Sequence, residues 1–462
     1  MNSQHQCIDG SPALPARRQL LASAAAAALL SACGGGGSSN VGSGSVFVGA
    51  VYAGTNKVSG NSIVAFGRNA DGTLVPIAEY QTGGLGGVFD GGSDGLDPLI
   101  AEDAIVAVDN RFLLAVNPGS NSISSLRINS DLSLSLVGTA STGGVGPVSI
   151  AYRNGLVYVA NADSDGVFAG PPDQRGNITG LRFDTGSGQL TPIANSTRQL
   201  DNRPSDVEFS PDGTHLLVSS VNAGSARLAG GADAELVVYG VQADGSLTSL
   251  SQSTATSTLR GNAARRNLPT SIGFEVVDVG SRTFVIASEA REFLSTGEPG
   301  SLPTFQTASV STWELTANGS LTPRSQDVLT GPSITTGPAS PTSACWIVVA
   351  PDRSFFWVTH ASGAVISSFR LNPDGTISLI NGRAAVGSPA VVGATPLASA
   401  DGLIDIAISS DGRYVYQLLG LRGSINVYSV GANAALSPLQ RASGILPLTN
   451  LAGLVSVDRR VS

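Results

Sequence analysis

Charge, aromatic rings and helix-forming residues are all scarce in this chain. Of its 462 residues, 13% are charged and 5% are aromatic, with a single Met. Too few Lys and Glu exist to cover the exposed faces of long helices, which argues against a bundle or coiled coil. A net charge of −8 lacks the basic surface that nucleic acid requires, so that partner class is excluded. The three histidines and three cysteines form no clustered pattern for zinc. No Gly-rich phosphate loop stands between a strand and a helix, and the string Gly42-Ser43-Gly44 lacks the strand-to-helix context of a nucleophile elbow. What the chain does have is 42% hydrophobic residues with 57 Gly and 24 Pro. That is the composition of an all-β fold with many short strands and tight turns.

The N-terminus reads as an export signal. Arg17 and Arg18 precede an Ala/Leu run from Leu20 to Leu30, too short to span a bilayer and suited to a signal-peptide core. The arginine pair resembles a twin-arginine signal. The run ends in Leu30-Ser31-Ala32-Cys33, which resembles a bacterial lipobox whose cysteine is lipidated and becomes the first residue after cleavage. Residues 1–32 are therefore expected to be a lipoprotein signal peptide, 33–44 a lipidated cysteine with a Gly/Ser tether, and 45–458 the folded domain. The expected address is the bacterial cell envelope, periplasmic or cell-surface facing, with the membrane engaged through the lipid alone. A monomer is expected. With Cys7 removed and Cys33 lipidated, Cys345 beside Trp346 is expected to be a buried packing residue.

Internal repetition decides the fold. Asn61-Ser62-Ile63-Val64-Ala65-Phe66, followed by Asp71-Gly72-Thr73-Leu74, returns six more times. One such copy is Val365-Ile366-Ser367-Ser368-Phe369 with Asp374-Gly375-Thr376-Ile377, and the last is Ser424-Ile425-Asn426-Val427-Tyr428 with Leu436-Ser437-Pro438-Leu439. Each copy alternates apolar and polar residues around a tight turn, the pattern of a hairpin, and a second hairpin precedes it. The unit is four antiparallel strands, a to d. Seven such sheets predict an all-β, seven-bladed β-propeller. The chain enters without an a strand of its own and ends in Leu454-Val455-Ser456-Val457, so the C-terminal strand is expected to pair with the N-terminal blade and close the ring. The a–b and c–d turns are short and the long connections are d–a and b–c. One face is thus close-cut, and the other carries the loops and is expected to carry function.

The strand phrases Tyr158-Val159-Ala160-Asn161 and Trp357-Val358-Thr359-His360, with Phe209-Ser210-Pro211-Asp212-Gly213, resemble the seven-bladed lactonase propeller family, which includes 6-phosphogluconolactonase and 3-carboxymuconate cyclase. The resemblance implies a lactone or sugar acid as substrate. Enzymes of that family carry a Pro-Arg-His-Phe phrase at the channel end of inner strands. Here Pro204-Ser205-Asp206-Val207 and Pro269-Thr270-Ser271-Ile272 stand in its place, without Arg or His. The family's Asn-Glu is half kept as Ser288-Glu289, which makes Glu289 the candidate base and Arg291 the candidate oxyanion stabiliser.

Aligning the inner strands puts Asp103, Asp206 and Asp405 at one level of the central channel. Such a ring would suit Ca²⁺, Mg²⁺ or a shared proton, and the alternative is that each carboxylate accepts backbone N–H bonds from its own blade's loop. Arg203, beside Pro204, is a candidate for an anion at the channel mouth, and His360 for an acid or base or a hydrogen-bonding turn residue. Asp163 and Asp165 begin a calcium-loop pattern that lacks its final Glu, with a solvated turn as the other reading. Two functions follow. One is a cell-envelope lipoprotein that hydrolyses or forms a lactone, and the other is a non-enzymatic propeller binding an envelope protein or glycan on its loop-rich face.

Overall fold

The alternating repeats fold into seven antiparallel sheets, six of them continuous in sequence and one assembled from both ends of the chain. The computed structural model describes residues 47–88, 97–162, 176–200, 203–221, 235–255, 268–294, 303–331, 344–361, 363–388 and 401–460. Cys33, Asp163, Asp165 and the side chain of Arg291 lie outside them. Among the described residues no helix is long and apolar enough to cross a membrane.

Blade 1 contains Gly49–Gly54, Ser62–Arg68 and Leu74–Gln81, and its inner strand is Leu454–Asp458 from the C-terminus. The closing ladder pairs Gly49 with Asp458 and Ala53 with Leu454, and the buried Arg68 forms an ion pair with Asp458. Blades 2 to 7 begin with inner strands Ile105–Val108, Pro147–Arg153, Arg203–Phe209, Phe274–Val279, Ala344–Val349 and Leu403–Ile408. In the fifth blade a short piece, Leu268–Thr270, precedes the inner strand, and both pair with one long second strand, Arg282–Leu294.

A four-stranded sheet cannot bury both its faces alone, so the apolar side chains pack between neighbouring blades. One buried cluster, for example, joins Val51 and Phe66 of blade 1 to Tyr416 and Val427 of blade 7. The few aromatic residues also tie blade to blade by hydrogen bonds. The second-strand Tyr52 donates to the Leu132 carbonyl of the next c–d turn at 2.8 Å, Tyr158 to Gly245 at 2.7 Å, Trp357 to Ala434 at 3.0 Å and Tyr416 to Gly72 at 3.2 Å. The last of these links blade 7 to blade 1 across the closure. A buried hydroxyl or indole needs a partner, so each ring both fills space and fixes the register of its neighbour.

At the c–d turns Asp accepts the backbone N–H two residues on, as Asp71 does from Thr73 and Asp374 from Thr376, both at 3.0 Å. Gly72 and Gly375 take the left-handed conformation these turns demand, at φ 85° and 82°.

Candidate functional site

Each inner strand leaves one edge unpaired toward the axis, so its inward N–H groups need acceptors. Carboxylates from neighbouring blades supply them. Asp206 of blade 4 accepts from Phe274 of blade 5 at 3.1 Å, and Glu208 accepts from Val276 at 2.8 Å. Glu275 of blade 5 accepts from Val349 of blade 6, and Asp405 of blade 7 accepts from Gly453 beside the closing strand at 2.6 Å. These bonds run from one blade to the next. This corrects the expectation that each Asp would be satisfied by its own blade's loop, although Asp206 also caps its neighbour Val207 at 2.8 Å and accepts from Ser149 of blade 3 at 2.9 Å.

Bulges accompany two of these groups, Asp206 and Asp405. The first two strands of blades 3, 4, 6 and 7 shift register at one level, between Pro147 and Ser149, Pro204 and Asp206, Ala344 and Ile347, and Ile404 and Ile406. Asp405 is itself the extra residue of its bulge. A bulge swings a side chain out of the alternating pattern, here from the inter-blade core toward the axis.

The channel mouth is filled by the chain itself. Residues Asp97–Asp103, which lead into blade 2, reach across to blades on the far side. The Glu102 N–H donates to Ser205 of blade 4 at 3.1 Å and the Asp103 carbonyl accepts from Ile150 of blade 3 at 3.0 Å. On blade 6 the Trp346 indole donates to the Ala101 carbonyl at 2.9 Å, and the Ile347 N–H donates to Glu102 Oε1 at 3.0 Å. Leu99, Ala101 and Glu102 are buried. Between blades 1 and 2, against Leu99 and Ala104, a cavity of about 10 Å³ remains, room for about one water.

Burial and like charges displace the channel acids. Burial first, then the charges of Asp206, Asp103 and Glu275, push Glu102 well above the usual carboxylate range. Burial and Asp103 do the same to Asp206, and burial with Glu275, Asp206 and Asp103 to Glu208. Burial raises Asp103 to about 7, and burial with Asp103 raises Glu275 to about 8 against the opposing pull of Arg353. Asp405 rises to about 8 through burial, against its bond from Gly453. Asp103, Glu208 and Glu275 are half-buried. The charge of Asp103 acts on both Asp206 and Asp405, and Glu102, Glu208 and Glu275, which the sequence reasoning missed, join the same network. Carboxylates interrupting the apolar runs Val207-Glu208-Phe209 and Phe274-Glu275-Val276 were the available signal. Among the described residues no three acidic, His or Cys side chains converge to hold a metal ion.

The other candidates stand apart from this cluster. Arg203 is buried and bonds to the carbonyls of Leu99 and Ile100, so it fastens the crossing segment where an anion was expected. His360 is fully buried at the end of Phe355–His360, with Nε2 2.9 Å from Ser367 Oγ. Glu289 sits on the second strand of blade 5, one layer out from the channel, buried and accepting from Ser309 Oγ at 2.5 Å. Its strand and the partner Pro303–Leu315 run 13 residues each, about twice the length of their counterparts, and Arg291 stays within the sheet, its backbone paired with Pro269 and Thr307. Cys345 is buried in the core, and burial pushes its thiol pKa up.

No family model and no curated protein matches the chain. Solved structures do. A candidate 6-phosphogluconolactonase from Bacteroides fragilis is 13% identical, with 90% of this chain and 100% of that chain covered and a TM-score of 0.56. A hypothetical selenium-binding protein from Sulfolobus tokodaii is 12% identical over 88% of this chain and 93% of that chain, with a TM-score of 0.55. A functionally unknown protein from Desulfotomaculum acetoxidans is 14% identical over 87% and 98%, at 0.51. Likeness at this level of identity is likeness of fold, and these neighbours differ in described role. The chain has the seven-bladed propeller fold of the solved 6-phosphogluconolactonase-like proteins.

Proposed function

We propose that this chain is a lipid-anchored propeller of the bacterial cell envelope that binds another protein on its loop-rich face. The observation that carries this reading is a set of exposed apolar side chains in the connections of that face. Leu448 is 70% exposed, Val58 57% and Val386 54%, and Leu85, Val145 and Leu329 are also exposed. All six lie in d–a or b–c connections or at the ends of fourth strands. Four other exposed apolar residues among those described, Val48, Val75, Leu136 and Leu439, lie elsewhere on the blades, so the loop-rich face carries the larger share of such side chains, the kind that protein contact surfaces bury. The segment crossing the channel supports the same reading, since Glu102, Asp206 and Asp405 there are buried and accept backbone N–H bonds.

The test is a photo-crosslinking residue at position 448, with a control at position 374 in a c–d turn, in intact cells. A discrete protein adduct from 448 and none from 374 is expected. Absence of an adduct at 448, or equal yields at both positions, refutes the reading.

Lactone hydrolysis is the second reading. It is favoured by the buried Glu289–Ser309 pair at the base of the projecting hairpin and by the fold likeness to the Bacteroides fragilis protein. A panel of sugar-acid and muconate-type lactones, with and without Ca²⁺, decides it. Turnover that Glu289→Gln abolishes establishes hydrolysis through this carboxylate, and turnover unchanged in that variant removes Glu289 as the base.

A further inference from the structure

Asp97–Asp103 is held in the channel mouth by contacts that are individually replaceable and partly strained. Ile100 and Asp103 have φ of 49° and 56°, a left-handed backbone that a β-branched residue avoids and that only surrounding contacts can impose. Glu102 is the deepest point of the segment. Its Oε1 accepts from the Ile347 N–H, while Oε2 is buried without a hydrogen-bond partner. That oxygen lies over Gly273, where a built Cβ would fall 1.6 Å from it. A neutral carboxyl tolerates such a place, whereas an ionised oxygen there has neither water nor a donor.

The charges acting on Glu102 are of its own sign. Asp103 belongs to its segment, Asp206 to the inner strand of blade 4 and Glu275 to that of blade 5. Farther along the axis lie Glu208, beside Asp206 and Glu275, and Asp405, beside Asp97 and Asp103. Two arginines neighbour these groups. Arg203 binds the Leu99 and Ile100 carbonyls, and Arg353 acts on Glu275 from an exposed turn. The blade 6 thiol, Cys345, is buried and feels Asp97 and Glu102.

We propose that Asp97–Asp103 is a proton-operated stopper of the axial channel, seated while Glu102 is neutral and released when Glu102 ionises among Asp103, Asp206 and Glu275. Release exchanges an unsolvated anion for a hydrated one and relaxes the strain at Ile100. The ring itself stays closed, because its ladders and aromatic ties lie outside the segment. Burial and the like charges around Glu102 place release above the usual carboxylate range. The proposal is independent of what the loop-rich face binds.

Amide hydrogen exchange on the full-length protein between pH 5 and 9 tests it. Exchange rates are divided by those of the unstructured chain at each pH. The reporters are the N–H groups of Glu102, Ile150 and Ile347, all bonded across the segment's contacts, and the reference is the strand Phe355–His360. In the wild type, reporter protection should fall by up to tenfold per pH unit while the reference strand keeps its protection. In Glu102→Gln, which retains the acceptor for Ile347 but cannot ionise, protection should stay level. The proposal is overturned by level protection in the wild type, by an equal fall in Glu102→Gln, or by loss of protection in the reference strand together with the segment. Should the variant fail to fold, the wild-type comparison of reporters with reference strand still decides.

Discussion

Replacing Asp405 by Asn should stabilise the propeller more as the solution becomes more alkaline. The carboxyl is 6% exposed, accepts one bond from Gly453 at 2.6 Å, and feels the like charges of Asp97 and Asp103. Its folded pKa, about 8, exceeds the unfolded value of about 3.9. Between those two values the folded state binds more protons than the unfolded chain, so wild-type stability falls as pH rises and levels off above about 8. At about 1.4 kcal/mol per unit, the full penalty approaches about 6 kcal/mol, an upper figure because water entering the channel screens the charge. Only about 1.5 kcal/mol of it is present at pH 5. The side-chain oxygen of Asn keeps the bond from Gly453 and carries no charge. The variant's advantage should therefore grow by up to about 4 kcal/mol from pH 5 to pH 9. Guanidinium unfolding followed by the emission of Trp313, Trp346 and Trp357, all buried, measures it at each pH. An advantage that is constant with pH, or that shrinks, refutes the reasoning.

Gly273→Ala should cost about 1–3 kcal/mol, because its Cβ would overlap Glu102 Oε2 and lie 2.9 Å from the Cys345 carbonyl. Glu102→Ala in the same chain should recover part of that loss in thermal melts, and no recovery would show that the clash lies elsewhere. Ser309→Ala removes the 2.5 Å bond to Glu289 and should cost about 1–2 kcal/mol by calorimetry, whereas an unchanged melt would show the bond to be energetically idle. Deleting residues 454–462 strips blade 1 of its inner strand and exposes a strand edge, so light scattering should find self-associated species. A stable monomer would refute the assignment of closure to this strand.

The blades were legible because their physics is local. Alternation repeats seven times, with Asp-Gly or Asn-Gly at several of the turns, and the stray strand at Leu454 pointed to closure by the N-terminal blade. Alignment also singled out Asp103, Asp206 and Asp405, because ring symmetry carries one position into the next. The crossing segment was not legible. Its contacts are with blades 3 to 6, and nothing periodic marks it. An apolar run, Leu99-Ile100-Ala101, inside a connection that composition alone would place in solvent was the one hint. The direction of the carboxylate bonds was hidden for the same reason. Whether Asp206 caps its own loop or the edge of blade 5 depends on where the next strand falls, and the bulges that turn these side chains inward leave no pattern in one sequence.

Closure by the final strand also sets the order of events at the ribosome. Gly49 and Asp458 are partners separated by about 400 residues, and a chain lengthens by roughly 5–20 residues per second. For about 20–80 s, then, the first blade has three strands and no inner neighbour, with a strand edge open to any passing β segment. Ring completion is necessarily the last step of biogenesis, and its rate is bounded by synthesis of the whole polypeptide. Nonsense or frameshift lesions anywhere downstream would yield an open, sticky arc rather than a smaller working protein.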